Sequence, residues 1–266
     1  LVVVAPDDPL ALGMVDALKE AGIRAFGPKK AAAIIESSKV FSKNLMKKYN
    51  IPTATYEVFD DSNVAIEYLK HQEYPIVIKA DGLALGKGVI IAQGFDQAQE
   101  AINDIMEDKV FGEAGSKIVI EEYLQGREVT VLAFTDGKTI VPMVSAQDHK
   151  RAFDDDKGLN TGGMGAFSPS SAYDEETAGY CMENIFKPTI QAMNKEGRPF
   201  KGVIYFGLML TEKGPRVLEY NARFGDPETQ VVLPRMASDF GEFMLALKND
   251  QPFELEWKEE AVLGVV

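Results

Sequence analysis

The chain has 266 residues, 45% hydrophobic and 26% charged, an ordinary mixture for a folded protein with a sizeable core. Its 28 Lys and Arg against 41 Asp and Glu leave a formal charge of −13, which argues against a general binder of nucleic-acid backbone but leaves room for a nucleotide site needing a few local cations. No run of 18 apolar residues is present, so no membrane span is expected, and the single cysteine, Cys181, cannot form an internal disulfide, which points to a reducing compartment, the cytoplasm.

Residues 1–5 form an apolar run short enough for a buried parallel strand. A helix is predicted from Asp8-Pro9 to about Ala21, with Pro near its first turn, and Gly22 ends it. A strand over 23–26 closes on Gly27-Pro28, so the opening segment reads as a βαβ unit, the tail of a doubly wound domain. The chain starts without Met inside one strand-like run and stops inside another at 263–266, so it is expected to be a piece of a longer protein. Residues 29–50 read as helix, broken at Ile51-Pro52-Thr53. A strand at 56–59, a helix at 61–72, a strand at 76–79, a glycine-rich loop and a strand at 89–91 follow. Then come an amphipathic helix at 94–107 and strands at 118–122, 128–135 and 139–144, joined by short turns. Residues 147–172 are polar and glycine-rich and read as one long irregular loop, of the kind that is functional or disordered. Helices over 174–196 meet near Pro188, a hairpin spans 202–210 and 216–220, and a helix lies near 239–248.

Four motifs carry chemistry. In Lys79-Ala80-Asp81-Gly82-Leu83-Ala84-Leu85-Gly86-Lys87-Gly88-Val89 a strand delivers Lys79 and a loop with three glycines carries Lys87. Glycines let backbone N–H groups approach phosphate oxygens, and lysines supply the charge. A Walker A loop does not fit, because no Ser or Thr follows Lys87 and a strand, not a helix, comes next. A hairpin loop covering phosphates fits, as does a plain turn with solvated lysines. In Val119-Ile120-Glu121-Glu122-Tyr123-Leu124, with Glu128 beyond it, two carboxylates close an apolar strand. Such a strand end can offer backbone groups to an adenine edge, with Leu124 as a flat contact and Glu128 as a ribose partner, or it is simply an exposed acidic end.

The third motif runs from Val217 through Glu219, Asn221, Arg223 and Asp226 to Glu228. Alternate residues of a strand share a face, so Glu219, Asn221 and Arg223 are expected to point together. A carboxylate and an amide oxygen suit Mg²⁺, and an arginine beside them suits a phosphoryl group in transfer. The fourth joins Gln147-Asp148-His149-Lys150-Arg151 to Asn160-Thr161-Gly162-Gly163-Met164-Gly165-Ala166 and offers a place for an anionic substrate. His149 there reads as a solvated side chain before it reads as a general base.

Taken in order, these features resemble the ATP-grasp superfamily. Within it the chain is similar, over almost its whole length, to the phosphoribosylamine–glycine ligase family, through Phe26-Gly27-Pro28, the Lys79 to Ala84 stretch, Gln147 to Arg151, Asn160 to Ala166, and Asn221 through Arg223-Phe224-Gly225-Asp226-Pro227-Glu228-Thr229-Gln230. Three departures stand out. The family's Gly-Asn-Gly-Gly-Arg-Glu-His turn and its C-terminal domain are not in this sequence, its Gly-Pro-Glu-x-Pro-Leu reads Ala5-Pro6-Asp7-Asp8-Pro9-Leu10, and the 205–209 strand lacks the further acidic metal ligand of many ATP-grasp enzymes.

The resemblance implies an α/β (α+β) ATP-grasp fold: a two-lobed core preceded by the tail of a doubly wound, Rossmann-like N-terminal domain. Residues 1–36 would be the remainder of that domain, 37–120 the small lobe with its linker helix, and 121–266 the large lobe. It also implies that Lys39, Lys79, Gly86, Lys87, Gly88, Glu121, Glu122, Tyr123, Leu124 and Glu128 bind ATP, and that Glu219 and Asn221 hold Mg²⁺ or Mn²⁺. Asp148, Lys150, Arg151 and Arg223 would contact substrate, with Arg223, Lys79 and Asp226 at the reacting group. The implied reaction joins glycine to 5-phosphoribosylamine at the expense of ATP, carried out by a monomer. Two other readings remain: a different ATP-grasp carboxylate–amine ligase, and a nucleotide-binding fragment without turnover.

Overall fold

Short apolar runs pair into four sheets in the computed structural model, which describes residues 1–84, 88–154, 157–248 and 254–266. The strands are β1 (Val2–Val3), β2 (Ala25–Phe26), β3 (Tyr56–Phe59), β4 (Ile76–Ala80), β5 (Val89–Ala92), β6 (Ile118–Glu122) and β7 (Arg127–Thr135). They continue with β8 (Ile140–Pro142), β9 (Gln147–Phe153), β10 (Lys157–Ser168), β11 (Gly202–Thr211), β12 (Gly214–Asn221) and β13 (Val262–Val265). β1 and β2 pair in parallel, and the other sheets, β3-β6-β4-β5, β12-β11-β7-β8 and β13-β10-β9, are antiparallel.

The β12-β11-β7-β8 sheet is buried on both faces, which is why its strands read as nearly unbroken apolar runs. Val129, Val131 and Ala133 of β7 and Ile204, Phe206 and Leu208 of β11 share one core with Leu10, Val15, Ile35, Leu45 and Met46 from the N-terminal helices. Leu132, Phe134, Val203 and Tyr205, one residue out of phase, share a second core with Phe243 and Met244 of the helix Phe240–Lys248. The alternation is the period of two that a strand imposes. The β3-β6-β4-β5 sheet has a separate core, built with the helices Ser62–Leu69 and Phe95–Ile102. Leu45, Met46 and Ile51, from the helix Lys39–Lys48 and its exit, pack into the core of the larger sheet rather than into this smaller one.

Several predicted elements differ in detail. The helix expected over 8–21 is two, Asp7–Leu12 and Met14–Glu20, divided at Gly13, whose φ of 95° suits only glycine without strain. The helix expected over 29–50 is also two, Lys30–Ser37 and Lys39–Lys48, because Ser38 is extended and its hydroxyl accepts the Phe41 N–H as an N-cap. The largest correction is at 147–172. Most of that stretch is not a loop but the hairpin β9–β10, with β13 on its outer edge. Two register shifts along β10 break the alternation by which a strand is recognised.

The two larger bodies meet at the connection between β6 and β7. A Cβ at Gly126 would lie 2.2 Å from the Leu210 carbonyl oxygen, so no side chain fits there. Gly126→Ala is therefore expected to cost about 1–3 kcal/mol, seen as a lower urea midpoint at unchanged slope. An unshifted midpoint would contradict the close approach.

Candidate active site

Between the two bodies lies a cleft of about 410 Å³. Lys79 reaches it from β4, Gly88 and Val89 from the turn into β5, and Glu121 and Glu122 from β6, with Tyr123 and Leu124 just beyond. From the larger body come Glu128 on β7, Asp148 and Lys150 on β9, Glu219 and Asn221 on β12, and Arg223 and Asp226 after it. Lys39 enters from the first turn of its helix. Among the residues anticipated from sequence, Arg151 does not line the cleft; its guanidinium donates to the Gly158 carbonyl at 2.6 Å within the β9–β10 hairpin. Gly86 and Lys87 lie outside the described residues.

The cations are held in place by buried contacts. Glu121 is 3% exposed. Its Oε2 is 2.9 Å from Lys43 Nζ, which also donates to Thr53 Oγ1 at 2.8 Å. Its Oε1 is 3.0 Å from Lys79 Nζ, out of line for a hydrogen bond, so that contact is Coulombic. Lys79 donates instead to the Leu218 carbonyl, 3.1 Å away across the cleft. Two lysines on one carboxylate leave a net positive charge facing the cleft. The Glu121 side chain is thus a counter-ion, and what the end of β6 can offer an adenine edge is its backbone. Burial pushes the Lys43 ammonium down to about 8, against the pull of Glu121.

Asp81, which follows β4, ties the small body to the helix of Lys39. Its Oδ1 accepts from Ser38 Oγ at 3.0 Å and Val40 N–H at 2.8 Å, and its carbonyl accepts from Lys39 N–H at 2.9 Å. The Lys39 ammonium donates to the Gly82 carbonyl at 3.1 Å.

Glu219 lies at the electrostatic centre. Burial alone would raise its carboxyl, but Lys150, Lys79, Lys39 and Arg223 together hold it below the ordinary carboxylate value, so it is ionised at neutral pH. Lys150 lies 3.3 Å from Asp148 Oδ2 and 3.4 Å from Glu128 Oε2. Burial works against its charge, but the carboxylates of Asp148, Glu128 and Glu219 hold it above the ordinary lysine value. Arg223 lies beyond the end of β12, so the strand alternation does not place it; Glu36 does, with Oε1 at 3.1 Å from Arg223 Nε.

The cleft residues not assigned a role in sequence include Glu36, Lys43, Tyr205 and Glu228. Tyr205 hydroxyl donates to Glu228 Oε1 at 2.9 Å, and burial with the nearby Asp148 raises the Glu228 carboxyl. Glu228 adjoins the Gly225-Asp226-Pro227 turn already noted; the others belong to contacts that no local spacing reveals.

Glu36 gives a pH test. Burial raises its carboxyl from an ordinary 4.5 to about 7, only partly offset by Arg223 and the Ala222 N–H. The folded state therefore holds this proton more tightly than the unfolded chain, and stability from this group falls as pH rises from about 4.5 to about 7. The loss is on the order of 3 kcal/mol. Comparing urea unfolding of Glu36→Gln with the unsubstituted protein across pH 4 to 8 isolates it, and parallel curves would remove the assignment.

Known proteins share this fold. The profile of the phosphoribosylglycinamide synthetase ATP-grasp (A) domain matches residues 37–229, and that of the N domain of the same enzyme matches residues 1–36. A phosphoribosylamine–glycine ligase from Halalkalibacterium halodurans is 52% identical over the whole chain, which spans 62% of that relative's length. One from Listeria innocua is also 52% identical over the whole chain, which spans 63% of it. The crystal structure of phosphoribosylamine–glycine ligase from Thermotoga maritima superposes with a TM-score of 0.84 at 36% identity, over 91% of this chain and 61% of that one. A biotin carboxylase from Campylobacter jejuni, solved as a β-γ-ATP complex, matches with a TM-score of 0.73 at 17% identity, over 91% of this chain and 53% of that one, a likeness of fold alone. The fold is ATP-grasp.

Proposed function

This chain belongs to the phosphoribosylglycinamide synthetase family, and from that premise we propose that it carries the ATP-binding core of a ligase that joins glycine to 5-phosphoribosylamine. The products are glycinamide ribonucleotide, ADP and phosphate. The observation that carries the reading is the convergence of Lys39, Lys79, Lys150 and Arg223 on the ionised Glu219, with Asn221 in the same cleft.

The reaction has two steps. A glycine carboxylate oxygen attacks the γ-phosphorus of ATP, the bond to the β-γ bridging oxygen breaks, and glycyl phosphate and ADP form. The amine nitrogen of phosphoribosylamine then attacks the carbonyl carbon, phosphate leaves with the bonding pair, and the nitrogen loses a proton. Phosphoryl transfer asks a protein mainly for positioning and charge neutralisation. Lys39 and Lys79 neutralise phosphate oxygens, and Arg223 stabilises charge on the group in flight. Asp148, Lys150 and Asp226 face the substrates, Glu128 the ribose, and the end of β6 with Tyr123 and Leu124 the adenine. Enclosure of the reacting groups between the two bodies would keep water from the acyl phosphate.

Glu219 and Asn221 suit Mg²⁺ or Mn²⁺: a carboxylate kept ionised and an amide oxygen two residues on, both lining the cleft. Among the described residues no group of three or more His, Cys, Asp or Glu gathers as a metal cage, consistent with an ion that completes its shell from phosphates and water. When bound, such an ion supplies Lewis-acid charge to the phosphate oxygens. We assign residues 1–36 to the doubly wound domain, 37–120 to the small lobe with its linker helix Lys39–Lys48, which packs on the larger sheet, and 121–266 to the large lobe. A reducing cytoplasm fits the buried free thiol of Cys181, and we take the protein to act as a monomer.

Phosphate release by the full-length protein, assayed with ATP, glycine and 5-phosphoribosylamine, tests the reading. Release that requires both glycine and the amine is expected. ATP binding without glycine-dependent ADP would favour a nucleotide-binding protein without turnover, and release with other carboxylates alone would favour another ligase.

A further inference from the structure

We propose that Glu36 is a positioning residue for the reaction, aiming the Arg223 guanidinium at the phosphoryl group while touching no substrate itself; this role rests on the ligase reading above. Glu36 ends the segment that matches the N domain, on the helix Lys30–Ser37. Its partners lie far along the chain, after β12. Oε2 accepts the Ala222 N–H at 2.8 Å, and Oε1 lies 3.1 Å from Arg223 Nε. Both carboxylate oxygens are thereby engaged, so little of the group remains to meet a ligand.

The position of Arg223 makes this hold consequential. β12 ends at Asn221, so no ladder fixes the backbone that follows the two candidate metal ligands. Glu36 substitutes for the ladder at Ala222 and sets the direction of the next side chain. Arg223 Nη1 donates to the Phe224 carbonyl at 2.9 Å. With Nε on Glu36, one edge of the fork is spoken for, and the remaining N–H donors of Nη1 and Nη2 are left for a phosphoryl oxygen pair.

A plain counter-ion role explains less. The Arg223 side chain is 25% exposed, so water can solvate its charge without a partner. Glu36, in contrast, is buried, and the carboxylates of Asp7 and Glu219 oppose its charge while Arg223 favours it; the ammonium of Lys39 lies within reach as well. A group kept at such a site against burial and two like charges serves something other than stability.

The test uses the full-length protein with Glu36→Ala, Glu36→Gln, Arg223→Ala and the Glu36→Ala/Arg223→Ala pair. Glu36→Ala is expected to lower kcat about tenfold or more with KM for ATP changed less than about threefold, because the Arg223 contact that Glu36 aims is made to the transition state. The pair should be no slower than Arg223→Ala within about threefold, since residues acting through one another are not additive. Glu36→Gln keeps an oxygen for the Ala222 N–H and should fall between, and it carries the comparison if the alanine variant does not fold. Turnover indifferent to Glu36, or losses that multiply in the pair, overturns the role alone. An unsubstituted protein without glycine-dependent turnover overturns the ligase reading and this role with it.

Discussion

Glu219→Ala is expected to reduce glycine-dependent phosphate release about a thousandfold or more. Lys39, Lys79, Lys150 and Arg223 all direct charge towards the Glu219 carboxylate. Its removal takes away the proposed ligand of the catalytic ion and leaves Lys39, Lys79, Lys150 and Arg223 without the carboxylate they share. The loss of transition-state charge stabilisation is several kcal/mol, and each 1.36 kcal/mol is about a factor of ten in rate. Folding should survive, since the repelling cations include the one-third exposed Lys150 and the quarter-exposed Arg223, which can turn towards water. Steady-state assay over a range of Mg²⁺ concentrations is the measurement. A variant within about tenfold of the normal rate at saturating metal would remove Glu219 from the site.

Glu121→Ala is expected to cost about 3–5 kcal/mol of stability, because deleting one member of a buried charge cluster strands the others. Lys43 and Lys79 side chains are only 2% and 8% exposed, and Glu121 is the carboxylate both contact. Without it, two ammoniums repel each other in a space that solvent barely reaches. The substitution links stability to activity, since Lys79 loses the group that holds it beside Leu218. Urea unfolding measures the first effect and calorimetric titration of ATP the second. A stability change under about 1 kcal/mol would mean that the lysines reach water more easily than their burial indicates.

Most elements of the fold are legible in sequence because their signals are local. β4, β6, β7 and β11 announce themselves as apolar runs, and the hairpin β11–β12 by its Glu212-Lys213-Gly214 turn. The hairpin β9–β10 is not legible, since its glycines and register shifts erase the alternation and its outer partner β13 lies about a hundred residues on. The cleft residues divide in the same way. Lys79, Glu219 and Asn221 stand in recognisable local company. Glu36 acquires its place only through a contact 186 residues distant, and Lys43 looks in sequence like one basic residue in a helical turn. Glu121 was noticed for its position at a strand end, yet what its carboxylate does depends on two lysines from separate elements.

The three bonds that Asp81 makes to the Ser38–Val40 turn have a thermodynamic consequence. They lock the strand carrying Lys79 to the helix carrying Lys39, so the spacing of those two ammoniums is settled when the chain folds. A triphosphate arriving between them would find both ammoniums already held, by the Gly82 and Leu218 carbonyls, so that the rotamer freedom otherwise surrendered at each encounter, about 0.5–1.5 kcal/mol per side chain, is given up beforehand.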